Sequence, residues 1–268
     1  LHRVDRRQRQ MCIRDRDGAG EFVLDRYREE KLDTGLVRFA EDGETGSAYI
    51  VLDPKGNNYI LSCLGANGLF NGEDCAALEN EFSGADCLTL DLEFNLDAVS
   101  RVLASAHAHG VRTIVDAGPT RDVSLGLFRG VFVLSPNENE AEQLTGIPVD
   151  GLESAEKACA KLFASGCEHV VLKWGAHGAL LYDGNGLSVF PAYDAGPAVD
   201  TTAAGDCFMA ALSYAVSRGD ALPAAIRYAN VCAALSVTRH GAAPSLPNRA
   251  EIDAAVRKAE KEGYFDEK

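Results

Sequence analysis

The sequence predicts an α/β protein in which a mostly parallel sheet is flanked by helices on both faces, with a small β lid near the N-terminus. From residue 87 onward, short apolar runs alternate with stretches of helical period. Such alternation is typical of βαβ units, whose strands are buried on both faces. Ahead of them, two β-rich runs flank the turn sequence P-K-G-N, which is typical of a hairpin.

Bulk composition excludes several classes of partner. The chain has 268 residues and 46% hydrophobic residues, enough for a continuous core, and a net charge of −14. That charge repels nucleic acid and anionic membrane surfaces. No apolar run approaches the roughly 20 residues of a membrane span, and no secretion signal opens the sequence. The eight cysteines lack metal spacing, so we expect a cytoplasmic protein with buried thiols.

Residues 1–16 differ from the rest of the chain. They contain six arginines and two aspartates, with no apolar periodicity. Two acids and the absence of serine disfavour a transit peptide. We interpret residues 1–16 as a non-native or disordered leader and assign residues 17–268 to the folded domain.

The first folded elements are a helix and a hairpin. Apolar residues at near-helical spacing predict a helix between Phe22 and Leu32. Two β-rich runs, 45–53 and 58–64, are joined by the turn residues 54–57. We predict that residues 45–65 form a lid hairpin.

The remaining elements alternate between strands and helices. The predicted buried strands are 87–92, 111–116, 131–135 and 169–173. The predicted helices are 97–109, 154–165, 204–218, 222–239 and 249–261. In a sheet of this kind, ligands bind beyond the carboxyl ends of the strands, where loops meet helix N-termini.

The segment D-T-T-A-A-G-D, residues 200–206, carries the strongest chemical signal. Small residues directly before a helix allow backbone N–H groups to surround an anion, and the helix dipole adds positive potential there. We expect this potential to keep the Asp206 carboxylate ionised and able to accept a proton. The alternative is that Asp206 only caps the helix.

A second segment, S-P-N-E-N-E at residues 135–140, also follows a strand and opens a helix. Asn137 and Glu140 have the spacing of a capping box, so a purely structural role is one interpretation. A role in binding is the other.

Together these motifs resemble those of the ribokinase family of carbohydrate kinases. Residues 200–206 match its D-T-x-[GA]-A-G-D signature, residues 136–140 match its P-N-x-x-E segment, and residues 225–245 are similar to the C-terminal region of ribokinases. The resemblance runs from Asp17 to about Val256. It implies a ribokinase-like fold and phosphorylation of a sugar hydroxyl by ATP, with D-ribose as the expected sugar. Kinases of fructose or 2-keto-3-deoxygluconate are the alternative.

The resemblance also implies roles for individual residues. Asp206 would be the general base, and the amides of Ala203, Ala204 and Gly205 would form the anion hole for the transferred phosphoryl group. Asn137 and Glu140 would position Mg²⁺ through water. The expected nucleotide contacts are Asn137, Lys173, Trp174, Gly175, Ala176, His177, Gly178, Gly205 and Asn230. The residues expected around an activating K⁺ are Asp200, Thr202, Ser236, Arg239, Gly241 and Ser245.

Sugar binding is expected from Asp206 and from three further residues. Glu93 matches the sugar-binding carboxylate at a strand end, although an ordinary loop acid would have the same pattern. Ala48 and Ile50 would face the sugar from the lid, unless they serve only in lid packing. Exposed apolar positions such as Tyr49 and Val51 on a projecting hairpin also indicate a homodimer formed through the lid.

The sequence departs from the family pattern in three ways. Family members begin with a strand and a G-G-K-G-A-N-like segment that contacts the sugar, and we expect the chain to lack these first βα units. Lys173 and Trp174 replace a Thr-Leu type of pair, and Asn230 replaces a histidine common in ribokinases. An inactive, truncated nucleotide-binding module is therefore the alternative to an active kinase.

Overall fold

The protein is described here by a computed structural model that covers residues 13–14, 18–40, 43–52, 58–120 and 123–266. The side chains of residues 13, 14, 50–52 and 58–60 are outside this description. The predicted leader therefore lies almost wholly outside the described residues. The chain divides into two compact units, one built from residues 85–91 and 106–268 and the other from residues 2–84 and 92–105.

The first unit is organised around a six-stranded sheet. Its strands are β5 (Cys87–Leu90), β6 (Arg112–Asp116), β7 (Val133–Ser135), β8 (His169–Lys173), β9 (Ala179–Tyr182) and β10 (Leu187–Phe190). The spatial order is β10-β9-β8-β7-β6-β5. Strands β5 to β8 are parallel, and β9 and β10 extend the sheet in antiparallel fashion. The carboxyl ends of the four parallel strands therefore meet at one edge.

Within its described residues, this unit contains five α-helices. They are α4 (Glu138–Thr145), α5 (Leu152–Phe163), α6 (Ala204–Ser217), α7 (Leu222–Ser236) and α8 (Arg249–Lys261). Helix α4 begins after the N-cap Asn137 and ends at Gly146, whose φ of 71° suits a left-handed C-cap. Helix α6 differs, because its N-cap Ala203 has no side chain that can bond the first amides.

Both faces of the sheet are buried, as expected for parallel strands between helices. Ile114, Val133 and Val171 point to one face and share a core cluster with buried residues of α6, α7 and α8. Their neighbours Leu134 and Val170 point to the opposite face, because side chains alternate along a strand, and they are fully buried too. Helix α5 contacts the sheet at β8 and β9.

The second unit contains short elements. Its strands are β1 (Ile13–Arg14), β2 (Arg38–Phe39), β3 (Ser47–Leu52) and β4 (Asn58–Cys63), and its helices are α1 (Gly18–Glu29), α2 (Gly72–Glu79) and most of α3 (Leu96–Ala108). Strands β3 and β4 form an antiparallel hairpin. An ion pair of 2.6 Å joins Arg38 to the buried Asp74 of α2. The predicted lid hairpin is thus an element of this unit.

The sequence analysis missed some elements and misplaced some ends. It did not assign β9 and β10, although the D-G-N-G turn between them contains two glycines with positive φ, Gly184 and Gly186. Helix α2 was also missed, because its hydrophobic residues show little helical period. Strand β5 ends at Leu90 and not at residue 92. Helix α7 ends at Ser236 and not at residue 239.

Among the described helices, none has the length and apolar character that crossing a membrane requires.

Leu212 offers a test of the core between the sheet and α6. Its side chain is fully buried in the cluster, so Leu212→Ala removes apolar contacts and leaves a cavity. We expect this substitution to lower the free energy of unfolding, measured in urea, by about 2–5 kcal/mol. Leu152 on α5 is 47% exposed, and Leu152→Ala is the matched control, with an expected effect of about 0.5 kcal/mol or less. Equal losses from the two variants would contradict this description of the core.

Candidate active site

The loop that leads into α6 adopts a constrained shape. Ala203 has φ 61° and ψ 14°, a left-handed conformation that is uncommon for a residue with a side chain. The amide of Ala204 donates to the carbonyl of Thr201 at 3.1 Å. Of the three amides that were expected to surround an anion, the amide of Ala204 thus already has an acceptor within a turn. The amides of Ala203 and Gly205 donate to no acceptor among the described residues.

Asp206 lies in the first turn of α6 and stays exposed to solvent on one side. The surrounding protein raises the pKa of its carboxyl, and the negative charge of Asp116 raises this pKa further, against the opposing effect of Lys173. The sequence analysis expected the helix N-terminus to favour the ionised form. The net shift of the pKa has the opposite direction, and burial is its largest cause. A carboxylate with a raised pKa is a stronger base once it is ionised.

Lys173 is the centre of a charge cluster at the carboxyl ends of the strands. Its Nζ donates to both carboxylate oxygens of Asp116, at 2.8 Å each, and lies 3.9 Å from Oε2 of Glu140. All three side chains are largely buried. A Cβ on Gly205 would lie 3.9 Å from the same Nζ. The ammonium group thus lies between two carboxylates and the start of α6.

Asn137 and Glu140 form the capping box that the sequence allowed. The Asn137 side chain accepts from the Glu140 amide at 2.9 Å, and Glu140 Oε2 accepts from the Asn137 amide at 2.7 Å. Burial raises the pKa of the Glu140 carboxyl, and Lys173 opposes that rise. A Cβ on Gly118 would come within 2.5 Å of Glu140 Oε1, so a larger residue at 118 would require this carboxylate to move.

Asp200 ties the α6 loop to the segment after α7. Its two carboxylate oxygens accept from the amides of Thr202, at 2.9 Å, and Gly241, at 2.8 Å. These hydrogen bonds lower the pKa of Asp200 to about 2. Arg239 directs its side chain to Glu251 at the start of α8. Only its main chain is left for the cation contact that the resemblance implies.

The two remaining residues of the expected cation set are buried serines. Ser236 donates from its hydroxyl to Ala233, and Ser245 donates to Ala242. Because each hydroxyl donates to a nearby carbonyl, these side chains stabilise the end of α7 and the turn at residues 243–245.

The expected nucleotide loop, residues 173–178, begins at the last residue of β8. Gly178 has φ 99°, and a Cβ there would lie 2.1 Å from the carbonyl of Phe190. This glycine is therefore required by the close approach of β10. The rings of Trp174 and His177 lie side by side, with centroids 4.7 Å apart.

Asn230 is buried within α7, and its amide nitrogen donates to the carbonyls of Phe190 and Pro191. Its side chain thus connects α7 to the chain after β10.

The expected sugar contacts of the second unit lie on exposed segments. Glu93 is exposed and comes three residues after Leu90, so it follows β5 less closely than the sequence indicated. Ala48 is exposed on β3, and Ile50 is on the same strand with a side chain outside the described residues.

Residues 16–249 match the family model described as the pfkB family carbohydrate kinase. The chain belongs to this family. Its members transfer a phosphoryl group to a sugar hydroxyl, so this chain is a carbohydrate kinase of the phosphotransferase class, as its motifs predicted.

Named ribokinases are similar to this kinase in sequence and in structure. The ribokinase of Schizosaccharomyces pombe is 33% identical over 248 residues, which cover 91% of this chain and 77% of the relative. The Staphylococcus aureus ribokinase is 30% identical, covering 88% and 78%. The structure of Arabidopsis thaliana ribokinase complexed with ribose and ATP superposes with a TM-score of 0.86 at 27% identity, covering 94% and 82%. Thermotoga maritima ribokinase superposes at 0.82 with 30% identity, covering 93% and 81%. The predicted ribokinase-like fold is confirmed.

The structure of this carbohydrate kinase brings several of the predicted residues of the first unit into contact. Glu140, Lys173 and the first turn of α6 come together, and Asp200 braces the loop before Asp206. Sequence reasoning missed Asp116, which holds Lys173. The signal was present, because Asp116 is the last residue of a parallel strand and ligands bind beyond such ends.

Proposed function

We propose that this carbohydrate kinase is a ribokinase, which phosphorylates D-ribose to D-ribose 5-phosphate with ATP. The observation that carries the proposal is the position of Asp206, in the first turn of α6 and within the electrostatic influence of Asp116 and Lys173. The names of the similar proteins support ribose, and ribose with ATP is what the Arabidopsis thaliana structure contains.

In the proposed reaction the sugar hydroxyl oxygen attacks the terminal phosphorus of ATP. The bond between that phosphorus and its bridging oxygen breaks, ADP leaves, and the hydroxyl proton passes to the Asp206 carboxylate. Residues 203–205 would receive the transferred group, with the amides of Ala203 and Gly205 donating to its oxygens. The chemistry requires little more than alignment and charge neutralisation.

Asn137 and Glu140 would hold Mg²⁺ through water. Oε1 of Glu140 lies over Gly118, while Oε2 is engaged by the capping box, so one oxygen is left to direct a water molecule. Oxygen donors suit Mg²⁺, which keeps most of its own waters and binds mainly through substrate phosphates. When bound, Mg²⁺ would neutralise phosphate charge.

The loop braced by Asp200 would be the site of K⁺. Asp200 and the main chain around Thr202, Ser236, Arg239, Gly241 and Ser245 surround it in the proposal. Because Asp200 has a pKa of about 2, it is ionised at neutral pH and can hold a cation. A cation here would steady the loop that carries residues 203–205.

The nucleotide would contact residues 173–178 and the surroundings of Asn230. Because the Asn230 side chain donates to two carbonyls, we propose that it holds the backbone at residues 190–191 in position for this part of the site. Glu93, Ala48 and Ile50 would contact the sugar, with residues 45–65 as the lid of a kinase domain that spans 17–268. The described cysteines are unpaired, which suits a cytoplasmic location.

Turnover measurements on the 268-residue chain test the function. ATP consumption is followed with ribose, fructose and 2-keto-3-deoxygluconate, each with and without K⁺. We expect ribose to be the best substrate, K⁺ to raise the rate, and Asp206→Asn to lower kcat by about 10²–10⁴-fold through loss of the base. Because the pKa of Asp206 is raised, protonation should lower the wild-type rate at a higher pH than for an ordinary aspartate.

The outcomes separate the alternatives. A preference for another sugar would contradict the ribose assignment. Binding of ATP without turnover of any sugar would favour an inactive nucleotide-binding module. A rate for Asp206→Asn within a few-fold of wild type would show that Asp206 is not the base.

Two asparagine caps separate a metal role from a structural one. Asn137 and Asn71 each cap an eight-residue helix through a capping box. Replacing either by alanine should cost about 1 kcal/mol of unfolding free energy in urea. Only Asn137→Ala should also raise the Mg²⁺ concentration needed for half-maximal rate, by about 10-fold or more. If Asn71→Ala changed the Mg²⁺ requirement equally, the effect would come from stability alone.

A homodimer through the lid is the proposed assembly. Tyr49 on β3 and Leu61 on β4 are directly opposite each other, and both are more than 60% exposed. Such a pair on an exposed hairpin suits contact with a second copy. We expect sedimentation equilibrium to show dimers that Tyr49→Asp weakens. Only monomers in the wild-type chain would contradict the proposal.

A further inference from the structure

The side chains around Lys173 are mainly acidic. Asp116 acts electrostatically on the carboxylates of Glu140 and Asp206, and Lys173 is a cation that acts on all three acids. Taken as ionised, the four groups carry a net charge of −2. Without the lysine, the charge would be −3.

Such a site repels a nucleotide phosphate chain unless positive charge is supplied locally. Charges that are partly buried interact strongly, because little water lies between them to screen the field. Mg²⁺ bound to the phosphates would supply part of the compensation. Lys173 is the protein's own contribution, and it is fixed in place before any ligand arrives.

The Lys173 ammonium has unused hydrogen-bonding capacity. It carries three N–H donors, and among the described residues its acceptors are the two oxygens of Asp116. Glu140, at 3.9 Å, is too far for a hydrogen bond. The start of α6 is close to the ammonium group, since a Cβ on Gly205 would be 3.9 Å from its Nζ. A phosphate oxygen held at the Gly205 amide would therefore meet a nearby N–H donor.

We propose that Lys173 contacts the terminal phosphate of the nucleotide and that Asp116 is the positioning residue that holds Lys173 for this contact. The sequence motifs give Asp116 no role. The inference rests on the proposed function, because it takes residues 203–205 as the phosphate site. It extends that function by assigning a side-chain cation and its anchor to the phosphoryl group.

The simpler alternative is a structural ion pair. A largely buried Lys–Asp pair also links β6 to β8, and removing one partner destabilises a protein by leaving a charge unpaired. The experiment therefore needs readouts that a structural pair would not change. Nucleotide affinity in the absence of Mg²⁺ and the separation of kcat from KM are two such readouts.

The test compares Lys173→Met, Lys173→Arg, Asp116→Asn and the double variant Asp116→Asn/Lys173→Met. Lys157→Met is the matched control. Lys157 also forms an ion pair with a carboxylate, 2.7 Å from Glu153, but both side chains are exposed on α5. Calorimetry with ATP in EDTA and with ATP and Mg²⁺ measures binding, and steady-state kinetics gives kcat and the KM values for ATP and ribose. Circular dichroism melts verify that each variant is folded at the assay temperature.

We expect Lys173→Met to lower kcat/KM for ATP by about 10²–10³-fold, the range for loss of a preorganised electrostatic donor. The KM for ribose should stay near wild type, and ATP affinity in EDTA should fall by about 10-fold or more, since the lysine is then the nearest cation. Lys173→Arg should restore part of the kcat/KM for ATP and part of the ATP affinity in EDTA, because the positive charge returns in a different geometry. Lys157→Met should match wild type.

Asp116→Asn should lower kcat by about 10-fold through misplacement of the ammonium. The double variant should be no slower than Lys173→Met, because Asp116 acts through the lysine. Losses that multiply in the double variant would overturn the positioning role.

The remaining outcomes distinguish the inference from the function. If the wild type turns over sugar and Lys173→Met binds ATP as tightly as the wild type, the inference is overturned and the function stays intact. If the wild type binds ATP more tightly than Lys173→Met but turns over no sugar, the phosphate contact is supported and the proposed function is contradicted. A wild type that neither binds ATP nor turns over sugar would overturn the inference and the proposed function together.

Discussion

The ion pair between Lys173 and Asp116 connects the carboxyl ends of two strands that are 57 residues apart in sequence. These strands, β6 and β8, flank β7, and the residue that caps α4 follows β7. Because parallel strands end at one edge of the sheet, the pair and the α4 cap converge there. The segment between β10 and α6 then brings the start of α6 to the same edge. The candidate site therefore depends on strand order and on this segment, with the ion pair as its centre.

Convergence of carboxylates carries an electrostatic cost that the fold offsets in several ways. Glu140 is engaged through one oxygen by the amide of Asn137, and its other oxygen fits over Gly118. Lys173 lies between the acids and opposes the pKa rises of both Glu140 and Asp206. The two interpretations of Asn137 and Glu140, capping box and metal site, are thus compatible, because the cap fixes the carboxylate in the position from which it faces the cluster.

The loop before α6 is shaped by its own hydrogen bonds. Asp200 accepts from Thr202 and Gly241, and these bonds hold the chain so that Ala203 keeps its left-handed conformation. A left-handed residue with a side chain persists only where its surroundings determine it. Because Ala203 has no capping side chain, first-turn amides of α6 are left without a side-chain acceptor.

The sequence by itself determined the family, the βαβ pattern and the two motif segments. These features are local: helical and strand periods, turn residues and caps are encoded within a few consecutive residues. The tertiary structure decided which strand ends meet, and so only it could reveal Asp116 as the partner of Lys173. It also decided that the Ala204 amide is bound by Thr201 and that the side chain of Asn230 is engaged by two carbonyls near β10. These contacts depend on packing between distant segments and on the conformation of single residues, neither of which a local pattern specifies.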